Sequence, residues 1–353
     1  MIKLLHSADW HLDSPLGFSD ETQSRRLRQL LHSIPERIAA ACKAEGCDLV
    51  LLSGDLFDGP YAADTFLKLR SALEEMAVPV FISPGNHDFI GPDSPWLREQ
   101  WPENVHIFTH PAIEAVDVPE LDCCVYGAGY ISMDCPGLLQ DFHPTHAETY
   151  GIGVFHGDPT SVTSPYCPVT AQQVSHSGLD YLALGHIHKA GSFQNGKTLC
   201  GWPGCPMGRG YDESGDKGYY IVTLDTEASI RFVSLGLPRF YDLEVTPEKS
   251  LDALLPPVGS DDYYRITFTG SQEAPEIKAL ESQYSRFPNL LLRDRTTPPQ
   301  DIWGTAGEDT FEGVYFKLLR EAMEKATGED ARQIQLAAEI SRKLLEGQEV
   351  VLP

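Results

Sequence analysis

The stretch Ile2-Lys3-Leu4-Leu5-His6-Ser7-Ala8-Asp9-Trp10-His11 sets a short apolar run directly against two residues of metal-ligand type. Ile2 to His6 reads as a strand. Asp9 and His11, two apart, fall on the same side if the segment stays extended, because side chains alternate with period two. The same order recurs downstream. Asp48 to Leu52 precedes Gly54-Asp55-Leu56-Phe57-Asp58, and Val78 to Ile82 precedes Gly85-Asn86-His87-Asp88. Gly151 to Phe155 runs into His156-Gly157-Asp158, and Tyr181 to Leu184 into Gly185-His186-Ile187-His188. Between the first three strands the spacing predicts helices. One covers about Ser24 to Glu45, with Leu27, Leu30, Leu31, Ile34, Ile38 and Ala41 on one face, and the other about Ala62 to Met76, with Phe66, Leu69 and Leu73. Strands alternating with helices are the pattern of a layered α/β domain, in which ligands gather beyond the carboxyl ends of the strands.

Outward from these motifs the chain is less regular. Gly91 to Gly151 is rich in Pro and Asp, with strands expected near Val105 to Phe108 and Cys123 to Gly127. Thr198 to Gly201, Tyr219 to Leu224 and Ile230 to Leu235 complete the strand set. Leu237-Pro238 marks the expected boundary between a first domain, 1–236, and a second, 237–353. The second reads as a smaller α+β unit: strands at Arg239 to Val245, Tyr263 to Thr269 and Leu290 to Arg295, with helices at Leu251 to Leu255 and Ala274 to Tyr284. Two helices close it, striped by Phe311, Val314, Tyr315, Leu318 and Met323 and by Ile334, Ala337, Ile340, Leu344 and Leu345.

Composition narrows the function classes. The 353 residues carry 27 Lys+Arg against 51 Asp+Glu, a formal net charge of −24. Such a surface repels polyanions, which argues against holding nucleic acid by basic charge alone. No stretch reaches the ~20 apolar residues of a membrane span. The first residues meet a charge too early for a secretory leader, so a cytoplasmic protein without membrane contact is expected. The eight cysteines contain no C-x2-C pair and read as reduced, buried small residues rather than a zinc site.

Any one strand-end motif has a bland reading. An Asp after Gly caps a turn, and a lone His or Asn is commonly a satisfied buried polar group. Five motifs, each at a strand end, converge on one edge. Their mix of carboxylate, imidazole and amide suits Mn, Fe or Zn better than Ca or an all-oxygen Mg site. His6, His32, His106, His110, His143, His146 and His176 fit no motif and read as packed or surface residues. Trp96, Trp101, Tyr130, Tyr166, Trp202 and Tyr211 read as packing groups that could also stack on unpaired bases.

The order D-x-H, G-D-x-x-D, G-N-H-D, H-G, G-H-x-H resembles the calcineurin-like metallophosphoesterase superfamily. Within it, Asp9-Trp10-His11-Leu12-Asp13-Ser14-Pro15-Leu16 and Gly215-Asp216-Lys217-Gly218-Tyr219-Tyr220 are similar to the SbcD/YhaO-type DNA repair exonucleases. The strand Ile266-Thr267-Phe268-Thr269-Gly270 resembles their capping domain more weakly. The resemblance implies a four-layer αββα sandwich followed by a smaller α+β cap. It implies two divalent metal ions, manganese first with iron or zinc as alternatives, bridged by Asp55. Asp9, His11 and His188 would complete one metal site, and Asn86, His156 and His186 the other. His87 would protonate the leaving alkoxide, with Asp88 holding its ring. Asp58 and Asp158 would accept the second N–H of ligand histidines, and Lys189, Arg209 and Lys217 would contact phosphate. The implied activity is a DNA exonuclease, with single-strand endonuclease activity beside it. An SMC-like ATPase subunit docking on the last helices and a second copy of the chain are the implied partners. Two other readings compete: a phosphodiesterase for cyclic nucleotides or other small diesters, and a scaffold subunit whose metal site is structural. A protein phosphatase fits poorly, because Asp58 is followed by Gly59-Pro60 where those enzymes carry Arg-Gly.

Overall fold

The computed structural model describes residues 1–17, 21–145, 149–298 and 301–347; His146 lies outside the described residues. Twelve strands of the first part form two sheets. They are β1 (Ile2–Ser7), β2 (Leu49–Leu52), β3 (Val80–Ile82), β4 (Val105–Ile107), β5 (Glu114–Val118), β6 (Cys123–Gly127), β7 (Tyr150–His156), β8 (Tyr181–Gly185), β9 (Gly191–Asn195), β10 (Thr198–Trp202), β11 (Gly218–Leu224) and β12 (Ala228–Ser234). One sheet has the order β12-β11-β1-β2-β3-β4 and the other β5-β6-β7-β8-β10-β9.

The central strands are buried on both faces, as parallel strands covered on each side should be. On β1 and β2 the faces divide cleanly. Leu5, Val50 and Leu52 pack against helices α1 (Glu21–Leu31), α2 (Ile34–Glu45) and α3 (Ala63–Met76) through Leu27, Leu31, Ile38, Leu69 and Leu73. Leu4, Leu49 and Leu51 face the second sheet, meeting Val125, Ile152, Val154, Tyr181 and Ala183. The far side of the second sheet, with Tyr126, Phe155, Leu182 and Leu184, is covered by Val174 of the short helix Ala171–His176 and by loop residues such as Leu139. Helices, sheet, sheet, cover: this is the αββα sandwich.

Two differences from the sequence reading have local causes. The single helix expected over Ser24 to Glu45 is two, α1 and α2, because Pro35 sits in the first turn of α2 and cannot continue a helix from behind. The apolar stripe survives the break. Strands β5 and β9 were not expected. Both are sheet edges, and a half-exposed edge such as Gly191–Asn195, with Phe193 as its one apolar side chain, lacks the β-branched, apolar run that marks a central strand.

Beyond β12, β13 (Phe240–Val245), β14 (Tyr263–Ser271) and β15 (Leu290–Thr297) form a third sheet in the order β13-β14-β15. The chain divides into two compact units. The first is Met1–Asp242 with Gly259–Arg265 and Arg286–Leu291, and the second is Leu243–Val258 with Ile266–Ser285 and Leu292–Pro353. In the second, helices Phe311–Lys325 and Glu329–Leu345 pair, with the Arg342 guanidinium 4.0 Å from the Phe316 ring and Tyr315 hydrogen-bonded to Ser341 at 2.8 Å. Phe311, Val314, Leu318, Leu344 and Leu345 remain exposed. Among the described residues no helix is long and apolar enough to cross a membrane. All eight cysteines are free and buried.

Candidate active site

The five motifs meet at the carboxyl ends of β1, β2, β3, β7 and β8, and the loops after β1 and β2 zip together. Asp9 N–H donates to Gly54 O at 3.0 Å, His11 N–H to Asp55 O at 2.9 Å and Leu12 N–H to Leu56 O at 2.8 Å. The backbone there is not extended. Asp9, His11, Asp55 and His186 have φ of 54°, 47°, 52° and 84°, a left-handed region that non-glycine residues enter at a cost of order 1 kcal/mol each. This corrects the period-two argument for Asp9 and His11. Tight left-handed turns, not strand alternation, aim these side chains inward. Gly54 is required for a different reason: a Cβ there would lie 2.6 Å from His156 Nδ1 and 2.8 Å from Ser83 O.

Seven side chains converge. Asp55 Oδ2 lies 3.8 Å from His11 Nε2 and 3.4 Å from His156 Nε2, while its Oδ1 accepts the His87 N–H at 2.9 Å. His11 Nε2 and His188 Nε2 face each other at 3.1 Å. His156 Nε2 lies 2.9 Å, and His186 Nδ1 3.2 Å, from Asn86 Oδ1. Asp9 Oδ1 accepts the His186 N–H at 2.9 Å, and its buried Oδ2 has no hydrogen-bond partner among the described residues.

The outer hydrogen bonds decide which atoms carry lone pairs inward. His11 Nδ1 is 3.2 Å from Asp58 Oδ1, His188 Nδ1 2.6 Å from Glu213 Oε1 and His156 Nδ1 2.9 Å from the Ser53 carbonyl. All three acceptors take an Nδ1–H, which leaves each Nε2 an acceptor in the neutral ring. With the rings neutral, acceptor then faces acceptor at His11–His188 and at His156–Asn86, so a proton or a cation must fill each gap. Together with the orphaned Asp9 Oδ2, that is the donor set of a divalent cation pair, and the residues fit one. The cluster draws positive charge in other ways too. Burial pulls the His156 pKa down, yet Asp55 raises it to about 9. His11 and His186 are lowered by burial.

His87 stands outside this inner set. Its side chain is 43% exposed, with Nδ1 2.8 Å from Asp58 Oδ1. That hydrogen bond raises its pKa above the ordinary histidine value. The expected partner was Asp88, and this is a correction. Asp88 is buried, accepting from Gly85 N–H and Leu56 N–H, both at 2.7 Å, and from Phe57 N–H at 3.2 Å. It ties the β2 and β3 loops together, and burial pushes its pKa up to about 7.

Asp58, by contrast, bridges His11 and His87. Asp158 receives the Thr160 N–H at 2.7 Å and the Thr160 hydroxyl at 2.6 Å, which shapes its own loop instead of holding a histidine ring. Lys217 was expected to reach phosphate. It is buried and donates to the His188 carbonyl at 2.9 Å, behind the site. Lys189 is exposed. Arg209 reaches the rim, with Nη2 2.9 Å from Glu213 Oε1 and Nη1 3.9 Å from Asp58 Oδ2.

Glu213 escaped the sequence reading. It sits in a loop with no strand before it, and its spacing of four from Arg209 resembles any surface pair. Burial opposes its ionisation, but His188 and Arg209 hold its carboxyl well below the usual range. Tyr166 lies over His186 with ring centroids 4.5 Å apart. His6, outside every motif, is buried, hydrogen-bonded at 2.7 Å to both Tyr181 and Ser53 Oγ.

A family model described as calcineurin-like phosphoesterase matches residues 2–190. The chain is 32% identical over 346 residues to YhaO, an uncharacterised metallophosphoesterase of Bacillus subtilis, a match covering 88% of this chain and 82% of that one. It is 25% identical over 260 residues to the SbcD component of the nuclease SbcCD from the same organism, covering 61% of this chain and 64% of that one. A crystal structure of a dimetal phosphatase from Danio rerio aligns at 11% identity with a TM-score of 0.45, covering 66% of this chain and 96% of that one. The family match runs from the first residue of β1 to two residues past His188, taking in every strand end that carries the cluster, and the chain belongs to the calcineurin-like phosphoesterase family.

Proposed function

We propose that this phosphoesterase is a DNA nuclease, an exonuclease that also cuts single strands, and that its cluster holds two divalent cations, manganese first. The observation that carries the reading is the convergence of His11, His188, His156, His186, Asn86, Asp9 and Asp55 with their acceptor atoms inward, beside an exposed His87. Asp9, His11 and His188 would hold one cation, Asn86, His156 and His186 the other, with Asp55 reaching both. When bound, the pair supplies Lewis acidity at the phosphoryl oxygens and makes water more acidic at neutral pH.

The chain's own groups do the rest. Asp58 holds the His87 ring through Nδ1 at 2.8 Å, leaving Nε2 to give its proton to the departing oxygen of the diester. The same carboxylate fixes His11, so acid and ligand share one anchor. Glu213 fixes His188 and keeps Arg209 at the rim, where a guanidinium can meet a phosphate oxygen. DNA as the substrate is supported by the SbcCD relative and by the chain's length beyond β12, where a capping domain over 237–353 is part of the reading.

The charge of −24 fits a nuclease that engages DNA chiefly at its cations, as a homodimer or beside an SMC-like ATPase subunit, and a cytoplasmic location goes with that role. The test is digestion of end-labelled single- and double-stranded DNA with Mn²⁺, with EDTA and the His87→Ala protein as controls. Shortening by the metal-loaded wild type alone is the expected result. Intact DNA alongside hydrolysis of an aryl phosphodiester would move the reading to small diesters.

A further inference from the structure

A cavity of about 640 Å³ opens directly beside His87. Its walls come from two segments, 59–63 and 87–99, each the continuation of a motif that builds the cluster. Tyr61 and Phe89 are half-buried in it, and Pro60, Pro92 and Pro95 add apolar surface. The aromatic wall is fixed from behind. Tyr61 packs on Phe57 with centroids 5.4 Å apart, Phe57 on Trp96 at 5.9 Å, and Trp96 on Trp101 at 5.3 Å, nearly parallel. Trp96 Nε1 donates to the Asp88 carbonyl, which locks this wall to the loop that carries His87.

The charges at the rim say what the cavity would not take. Arg98 is matched by Asp93 at 3.1 Å, and Glu99 accepts from the Tyr61 hydroxyl at 2.7 Å. Away from His87 itself, one cation against two carboxylates disfavours another phosphate, whereas a flat neutral ring finds aromatic and proline surface. A general acid must lie within hydrogen-bond reach of the oxygen it protonates, so whatever hangs from the leaving oxygen lies beside His87.

We infer that this cavity receives the nucleobase on the leaving-group side of the scissile phosphate, with Phe89 and Tyr61 as the stacking surface. The inference rests on the DNA nuclease reading and deepens it. It makes Phe89 a residue that sets substrate preference. Stacking of one base on an aromatic ring predicts a change of about tenfold.

The experiment compares Mn²⁺-loaded full-length wild type, Phe89→Ala and Phe89→Leu on oligothymidylate and on an all-abasic backbone of equal length. Mn²⁺-dependent thermal stabilisation reports that each variant folds and keeps its metal centre. The expected result is a preference for the base-bearing strand that falls about tenfold in both variants, through KM rather than kcat. A preference unchanged by either substitution overturns the base pocket and leaves the nuclease reading standing. A wild type that hydrolyses bis(p-nitrophenyl) phosphate but cuts no oligothymidylate overturns both.

Discussion

His6 and His156 are both buried and both hydrogen-bond Ser53, one through its hydroxyl and the other through its carbonyl, yet they end with opposite charge preferences. In the inter-sheet core, His6 meets Tyr181 and, among the described residues, no carboxylate, and burial lowers its pKa to about 3. At the strand ends, His156 is buried as completely, but Asp55 lies 3.4 Å away and its pKa rises to about 9. Burial alone does not mark a functional histidine. The carboxylates facing it do, and at this edge of the sheets Asp55 and Asp9 gather enough negative charge to call for cations.

Removing that charge should have the largest effect. Asp55→Asn keeps the shape of the cluster and takes away the carboxylate that lies between His11 and His156. Loss of at least about 10³-fold in phosphodiesterase activity is expected, with Mn²⁺ affinity falling alongside it. An Asp55→Asn protein with near-normal Mn²⁺ binding by calorimetry would break the contrast between the two histidines.

The outer carboxylates come next. Glu213→Gln and Asp58→Asn each leave a ring able to find a hydrogen bond but remove the charge that orients it and makes it more basic, so each should weaken Mn²⁺ binding about 10–100-fold. The two are separable in kinetics. Asp58→Asn also frees His87 and should lower kcat at saturating Mn²⁺, whereas Glu213→Gln should recover most of its kcat there.

The smallest effect belongs to the core histidine and is one of stability. Unfolded, His6 takes up a proton below about pH 6.5, and folded only near 3. Its contribution is therefore fully present above pH 6.5 and drains away as pH falls toward 3. At pH 5 the loss is about 2 kcal/mol. Urea unfolding of wild type and His6→Gln at pH 7.5 and pH 5, in EDTA, should show the wild type losing more stability by about that amount. Equal losses would mean that His6 is charged in the folded chain.

The inner cluster was legible in the sequence because each member directly follows a strand, where sheet geometry brings distant segments together. What surrounds it was not. Glu213 lies on a loop whose path depends on packing around β11, and nothing in its neighbourhood sets it apart from other surface acids. Asp58 and Asp88 have similar contexts, each following a motif glycine, and only the turn geometry gives His87 to the first and backbone amides to the second. The left-handed backbone at Asp9 and His11 was equally hidden, since it arises from the zipped loops after β1 and β2 and not from local propensity. The sheets show the same division: central strands announced themselves by apolar runs, while edges β5 and β9 did not.

One titration bears on all of this, namely Mn²⁺ binding to the metal-stripped full-length chain, followed by electron paramagnetic resonance. The two-cation proposal predicts two ions per chain close enough to couple magnetically, with His186→Ala reducing the count to one uncoupled ion. A wild type that saturates at a single uncoupled Mn²⁺ would contradict the two-cation reading of the cluster.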